Sequence, residues 1–239
     1  MDLDKKVNLM DKIFEKCLIA AVTLLLPSAI ILTSMEATAL NAELYGALQE
    51  KYGVEDVVGT DLNELGRINE SLVKYLRGRT DSLDMKAEIG GESVEVFGQR
   101  EKAHMVDVKS LFMGGFYLRN VLLALTILFL YLLYFAGGKS IAKPGQAILY
   151  SGFAMAAFSS IIAFMIFTDF QKYFIAFHEI FFTNDLWMLD PETDILIQML
   201  PIEFFVAIVK RTAYVFIAQY ALVLGLAYLV VRRGRIIKK

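Results

Sequence analysis

Four long stretches of the chain carry no charged residue, and they determine its predicted architecture. They cover residues 17–35, 120–138, 144–168 and 212–231. A helix needs about 20 apolar residues to cross the hydrocarbon core of a bilayer. Backbone polar groups in lipid must be paired within the chain, and none of these stretches alternates like a strand of a membrane barrel. The pattern predicts an all-α integral membrane protein with four transmembrane helices.

Basic residues near the ends of these stretches predict the orientation of the chain in the membrane. They cluster before the first stretch, between the second and third, and after the fourth. With four crossings the three clusters share one side, which is predicted to be the cytoplasm, so both termini are cytoplasmic. The residues are Lys5, Lys6, Lys12, Lys16, Lys139, Lys143, Arg232, Arg233, Arg235, Lys238 and Lys239.

This topology divides the chain into five predicted segments. Residues 1–35 hold the cytoplasmic N-terminus and the first transmembrane helix, and residues 36–116 form a small extracellular cap. Residues 117–168 hold the second and third helices with a cytoplasmic loop. Residues 169–210 form an extracellular aromatic segment, and residues 211–239 hold the fourth helix and a basic cytoplasmic tail.

The first apolar stretch has an alternative interpretation as a cleaved signal peptide. Ala37-Thr38-Ala39 resembles the small-x-small site at which such peptides are cut. The stretch is long for the apolar region of a signal peptide, and Glu36 interrupts the approach to the site. A retained transmembrane helix is therefore the favoured interpretation.

The predicted cap combines helices with one hairpin. Apolar residues recur at helical spacing in residues 37–52 and 61–78. Residues 85–97 alternate instead, with two glycines at the centre, which predicts a β-hairpin. A further helix is predicted to lead into the second crossing, with Met105, Val108, Leu111 and Phe112 facing the membrane.

Composition and charge remove several classes of function. Apolar residues make up 56% of the 239-residue chain, which is too many for a soluble domain. A net charge of −2 gives no basic field for nucleic acid, so no nucleic-acid partner is expected. With one cysteine, Cys17, the chain can form neither an internal disulfide nor a cysteine-based zinc cluster.

The two histidines of the chain are the candidate chemical groups. His104 and His178 each lie beside an apolar stretch on the predicted outer side. Imidazole titrates near neutral pH and can both take and give a proton. Either histidine alone fits an ordinary structural role, as a solvated cap residue or an interfacial aromatic. As a pair they favour an acid/base site at the outer leaflet.

Polar and aromatic residues accompany both histidines. The polar ones are predicted to support the site or orient the substrate, and the aromatic ones to line a pocket. The polar candidates are Arg100, Glu101, Asp107, Glu179, Asn184 and Asp185. The aromatic candidates are Tyr173, Phe177, Phe181 and Trp187.

Other chemistries lack their residue patterns. His178-Glu179 begins like the HExxH motif of zinc proteases, but Phe182 stands where the second histidine is needed. No GxSxG motif of a serine hydrolase occurs, and no phosphate-binding loop. The uncharged stretches offer no ionisable group for a transport path. No metal and no cofactor is expected.

The motifs RExxHMxDVK and FHEIFFxNDxW resemble those of the lipoprotein intramolecular transacylases of Gram-positive bacteria. The resemblance implies a cell-membrane protein with four helices and an extracellular cap. It implies that the substrate is a diacylglyceryl-modified lipoprotein, with membrane lipid around it. The activity it implies moves the sn-2 acyl chain to the α-amino group of the lipoprotein's N-terminal cysteine, giving the lyso-form. Both His104 and His178 are implicated by the resemblance.

The expected roles are His104 as base and His178 as acid or oxyanion donor, with Asp107 and Glu179 orienting them. The two histidines could exchange these roles. Acyl donor and acceptor belong to one molecule, so no covalent acyl-enzyme is expected. The main alternative is a non-enzymatic membrane module whose cap binds a lipid or a protein partner. A weaker alternative is a metal-dependent membrane hydrolase.

Overall fold

The computed structural model describes the backbone of residues 3–236 and the side chains of residues 9–233. The basic residues Lys5, Lys6, Arg235, Lys238 and Lys239, on which the predicted orientation partly depends, lie outside the described side chains. The described chain is mainly helical, with one pair of strands. The helices are α1 (Leu3–Ala39), α2 (Ala42–Tyr52), α3 (Val54–Val58), α4 (Leu62–Leu76), α5 (Gln99–Ala136), α6 (Ala142–Thr168), α7 (Phe170–Phe181), α8 (Ile195–Met199) and α9 (Ile202–Ile236). The strands are β1 (Lys86–Ile89) and β2 (Glu92–Glu95).

Four of the described helices are long and apolar enough to cross a membrane. These segments are Leu9–Ala39 of α1, Gln99–Ala136 of α5, Ala142–Thr168 of α6 and Ile202–Arg233 of α9. Each contains most of one uncharged stretch of the sequence and extends beyond it. The prediction of an integral membrane protein with four transmembrane helices is confirmed.

Contacts between residues divide the described chain into two compact units. The helix unit is drawn from the described residues of Met1–Ser34, Tyr117–Ile162 and Ala213–Lys239. The hairpin unit is drawn from Met35–Phe116 and Ala163–Thr212, and it contains β1 and β2. Each unit has its own buried apolar clusters.

The helix unit is held by close packing between apolar helices. Leu18, Val22 and Leu133 are almost fully buried in one cluster. At Gly145, a side-chain Cβ would collide with a methyl carbon of Val231. Because glycine has no Cβ, α6 and α9 can approach closely at this position, as small residues permit between membrane helices.

Helix α4 provides much of the buried core of the hairpin unit. Its apolar residues recur on one face, and Leu65, Ile68 and Leu72 are at most 1% exposed. The carboxylate of Asp61 caps the helix, since it accepts a hydrogen bond from the backbone amide of Glu64 at 2.8 Å. The helix predicted for this segment is confirmed.

The predicted hairpin is also confirmed. β1 and β2 are antiparallel, with Lys86 opposite Glu95 and Ile89 opposite Glu92. The turn between them has Gly90 and Gly91 at φ 62° and 83°. Two successive positive φ values match the tight hairpin turn that glycine adopts without steric cost.

The expected membrane-facing position of Met105 and Val108 at the start of α5 is wrong. Met105 is 4% exposed and belongs to the apolar core of the hairpin unit, together with Tyr75 and Leu76. Val108 packs against the same cluster. The first turns of α5 therefore pack their apolar face against the core of the hairpin unit, and this packing fixes the position of the polar residues on the same turns.

A buried polar network joins three helices of the hairpin unit. The side-chain amides of Gln49 on α2 and Asn69 on α4 hydrogen-bond to each other in both directions, at 3.2 and 2.6 Å. The Gln49 amide also donates to the backbone carbonyl of Met199, the last residue of α8, at 3.2 Å. Because unpaired polar groups in a core are costly, this network fixes α8 against α2 and α4.

Candidate active site

The hairpin unit brings the two histidines together. His104 lies in the second turn of α5, and His178 lies in the last turn of α7. Their ring centroids are 6.1 Å apart and the rings are inclined by 35°. The residues are 7% and 8% exposed, so both imidazoles are largely withdrawn from water.

The hydrogen bond of His178 defines its tautomer. Its Nδ1 lies 2.7 Å from the backbone carbonyl oxygen of Phe174, one helical turn earlier. A carbonyl oxygen only accepts, so Nδ1 must carry the proton. In the neutral ring Nε2 then holds an unprotonated lone pair. The group that orients His178 is thus a backbone carbonyl of its own helix.

Burial also sets the charge of His178. Withdrawal from water lowers the pKa of this imidazole below its ordinary value of 6.5, and the Phe174 carbonyl opposes that effect only in part. His178 is therefore neutral at pH 7, with Nε2 able to accept a proton.

His104 is placed differently. Its Nδ1 is buried, and no hydrogen-bond partner for it occurs among the described side chains and backbone. Buried donors without an acceptor are rarer than buried acceptors without a donor. The favoured neutral tautomer of His104 therefore carries its proton on Nε2. In these tautomers His178 presents a lone pair at Nε2 and His104 presents an N–H at Nε2.

Aromatic side chains surround His178 and reach His104. Phe182 contacts both imidazoles, with ring centroids 5.2 Å from His104 and 5.4 Å from His178. Phe174 and Trp187 pack on His178 at 4.4 and 5.0 Å. Phe177, a predicted pocket residue, lies 5.5 Å from the same ring. Both imidazoles therefore lie in a largely aromatic environment.

Phe182 was not among the predicted site residues. It is 7% exposed and follows His178 by four residues, where the chain leaves α7. Its spacing of one helical turn from His178 was the available signal. Nothing in the sequence indicated that it would also touch His104, because that contact joins two distant parts of the chain.

Glu101 has a structural position beside the site. Its carboxylate is buried and accepts from the backbone amide of Gly98 at 2.5 Å and of Leu196 at 2.6 Å. The first bond satisfies an amide at the start of α5, as the glutamate of a capping box does. The second ties the start of α8 to the start of α5. Glu101 thus fixes the helix end that carries His104.

Replacing Glu101 by glutamine should lower the free energy of unfolding by about 1–3 kcal/mol. Both carboxylate oxygens accept from backbone amides, and the NH₂ group of glutamine would leave one of those donors unpaired. Denaturant unfolding of the purified protein in detergent measures the loss. Glu70→Gln, which alters an exposed pair with Lys74, is the matched control. Equal stabilities of the two variants would contradict this role of Glu101.

Two polar contacts join α5 to the loop that follows α7. The guanidinium of Arg100 donates to the backbone carbonyl of Asp185 at 2.5 Å. The side-chain amide of Asn184 donates to the carboxylate of Asp107 at 2.9 Å. Four of the predicted supporting residues thus meet in pairs, and they hold the loop against the helix of His104.

Three predicted site residues on α7 have their described contacts with groups other than the two histidines. Glu179 is exposed and lines a surface depression together with Lys172. The ring of Tyr173 packs on Phe164 at 6.3 Å. Phe181 is 53% exposed and packs on Phe177. Among residues 9–233 no group of three or more His, Cys, Asp or Glu side chains could hold a metal ion.

Comparison with known proteins adds a family and a fold. The model of the family described as lipoprotein intramolecular transacylase Lit matches residues 20–205. The solved structure of the membrane integral lipoprotein intramolecular transacylase Lit from Bacillus cereus is 21% identical, with a TM-score of 0.79, covering 93% of this chain and 98% of that chain. A structure of the same protein with a histidine-to-arginine mutation is 19% identical, with a TM-score of 0.81, covering 98% and 99%. No curated protein matches the chain.

Proposed function

This chain belongs to the lipoprotein intramolecular transacylase family, and from that premise we propose which acyl chain it moves and how. It is a membrane acyltransferase that acts on lipoproteins. The proposed reaction moves the sn-2 acyl chain of a diacylglyceryl lipoprotein to the α-amino group of its own N-terminal cysteine. The observation that carries the proposal is the pair of buried imidazoles, whose ring centroids are 6.1 Å apart, with His178 Nδ1 at hydrogen-bond distance from the Phe174 carbonyl.

The reaction exchanges an ester for an amide within one molecule. The neutral α-amino nitrogen attacks the ester carbonyl carbon, and a C–N bond forms. The carbonyl oxygen becomes an oxyanion, and the nitrogen must lose a proton. The bond from carbon to the glyceryl oxygen then breaks, and that oxygen takes a proton. No acyl-enzyme is needed, because nucleophile and ester are parts of the same substrate.

His178 is the proposed base. Its Nε2 lone pair is free, since Nδ1 is committed to the Phe174 carbonyl. An α-amino group has an ordinary pKa of ~7.7–8.0, so a neutral imidazole can take its proton as the C–N bond forms. The resulting imidazolium can return that proton to the leaving glyceryl oxygen.

His104 is the proposed donor to the oxyanion. With Nδ1 buried and unprotonated, its N–H is on Nε2. A positioned donor of this kind stabilises the charge that develops on the carbonyl oxygen. This assignment reverses the roles expected from the sequence. The support for the reversal is the hydrogen bond of His178, which fixes one tautomer directly.

The aromatic surround would protect the reaction from hydrolysis. Phe174, Phe182 and Trp187 pack on His178, so few paths remain for water to reach the ester. Excluding water also strengthens the electrostatic interactions inside the site. Folding the substrate so that amine and ester meet could supply ~7–11 kcal/mol of the barrier, as orientation does in intramolecular reactions.

We place the site at the extracellular face, with both termini in the cytoplasm. The support is the distribution of basic residues at the ends of the four spans, including Lys16, Lys143 and Arg232. In this topology residues 36–116 and 169–210 lie outside the cell, where lipoproteins are displayed. Membrane lipid would border the site.

Incubating the purified protein with a synthetic diacylglyceryl lipopeptide that has a free N-terminal amine should give a product of unchanged mass. Tandem mass spectrometry should locate one acyl chain on nitrogen, because the reaction is an isomerisation. The same lipopeptide with an acetylated amine is the matched control and should not react. A hydrolase would release a fatty acid, and a non-enzymatic binding module would leave the lipopeptide intact, so either result would overturn the proposal.

A further inference from the structure

Asn184 uses both ends of its side chain in the loop that follows α7. Its NH₂ group donates to the Asp107 carboxylate at 2.9 Å. Its carbonyl oxygen accepts from the backbone amide of Leu186 at 3.0 Å, which closes a local turn. The side chain therefore links α5 on one side to the backbone just before Trp187 on the other.

The turn positions Trp187 on the proposed base. The ring centroids of Trp187 and His178 are 5.0 Å apart, and the rings are tilted by 33°. Trp187 is half-buried, so it forms the outer wall of this part of the site. If the turn at Asn184 opened, the tryptophan would lose its support and water could reach His178.

We propose that Asp107 and Asn184 are a positioning pair whose hydrogen bond holds Trp187 over His178. The consequence for acyl transfer rests on the proposed function, whereas the consequence for the position of Trp187 does not. Asp107 stands one turn after His104 on α5, yet its described hydrogen bond goes to Asn184. Asp107 therefore acts on the position of Trp187 through the loop that follows α7.

A second contact makes the loop a defined structure. Arg100, two turns before Asp107 on the same helix, holds the carbonyl of Asp185 at 2.5 Å. Two adjacent loop residues are thus fixed to one helix, by a side-chain bond and a backbone bond. Because Arg100, Asn184 and Asp185 are exposed, these bonds contribute little to global stability and act mainly on local geometry.

A charge-conserving exchange tests the pair. Asn184→Asp places two carboxylates against each other, so the bond is lost. Adding Asp107→Asn restores one amide and one carboxylate with the donor now on α5. The carboxylate at position 184 can still accept from the Leu186 amide. The double variant has the charge of the wild type. It should recover the hydrogen bond between positions 107 and 184 and the position of Trp187 that the single variant loses.

Tryptophan fluorescence reads the result directly, because Trp187 is the one tryptophan in the chain. In Asn184→Asp its emission should shift to longer wavelength and acrylamide should quench it more strongly. Both changes should reverse in the double variant. Acyl transfer by Asn184→Asp should fall about tenfold, the scale expected when a site is misplaced by a fraction of an ångström. The double variant should regain most of the rate.

The same fluorescence follows the protonation of His178, since an imidazolium quenches an indole that it contacts. Ionisable side chains on the elements around it include Arg100, Glu101, His104 and Asp107 on α5, Asp185 in the loop, and Lys172 and Glu179 on α7 itself. In the wild type the midpoint should lie below pH 6.5, because burial lowers the pKa of His178. Asn184→Ala, which breaks the bond without adding charge, should raise that midpoint towards 6.5 as water enters.

Glu70→Gln, on the exposed surface of α4, should leave emission, quenching and midpoint as in the wild type. The proposal is overturned if Asn184→Asp keeps the wild-type emission and quenching, or if the double variant fails to restore them. These readings need no turnover. They therefore judge the pair even if the wild type moves no acyl chain, which would instead refute the proposed function.

Discussion

Replacing His178 by glutamine will lower the rate of acyl transfer by about 10²–10⁴-fold, the usual contribution of a positioned general base. Glutamine keeps a polar side chain of similar reach but has no lone pair that can take a proton near neutral pH. The His178 Nε2 is free for that task because Nδ1 donates to the Phe174 carbonyl. The loss should appear in kcat, since the proton moves in the transition state.

The measurement is the mass-spectrometric transfer assay, with Gln171→Ala as the control on the exposed side of α7. The emission of Trp187 reports whether the substituted site has kept its packing. The pH profile gives an independent check of which protonation state of His178 is active. Acid protonates Nε2 and removes the base, so the wild-type rate should fall as pH drops through the lowered pKa of His178. A His178→Gln enzyme with wild-type kcat would exclude this residue as base.

The membrane helices and the hairpin could be predicted because each depends on local sequence. A span needs only enough uncharged residues, and the hairpin needs alternation around Gly90 and Gly91. The environment of the first turns of α5 could not be predicted in this way. Helical periodicity shows that Met105 and Val108 share an apolar face, but not whether protein or lipid covers it. In the structure the core of the hairpin unit covers it.

The structure brings the two predicted histidines together, but their contacts could not be predicted from the sequence. Two histidines in a chain without other reactive motifs were the signal that selected them as candidates. The partner of His178 is a backbone carbonyl, which every residue possesses, so no residue type could reveal it. Asp107 and Asn184 are 77 positions apart, and their bond exists only because α5 and the loop pack together. Phe182 was not selected as a site residue because a phenylalanine in an aromatic segment looks like any other membrane anchor.

Glutamine in place of His104 should keep a substantial part of the activity, whereas alanine there should lower kcat by about 10²–10³-fold, as for loss of one oxyanion donor. The side-chain amide of glutamine can present an N–H near the position of the imidazole Nε2, and it needs no ionisation. The proposed role of His104 is donation from Nε2, since its Nδ1 is buried without a partner among the described residues. Substitution by glutamine should therefore preserve much of the activity at His104 and remove most of it at His178.

The comparison of His104→Gln with His178→Gln separates the two roles in one experiment. Both variants lose an imidazole from the same apolar surround, where Phe182 contacts each ring. General loss of packing would therefore harm both to a similar extent. If His104→Gln is as inactive as His104→Ala while His178→Gln retains activity, the roles are those expected from the sequence, with His104 as base. If His178→Gln is the inactive variant, His178 is the base. The tautomer fixed by the Phe174 carbonyl is then the feature that gives the two histidines different roles.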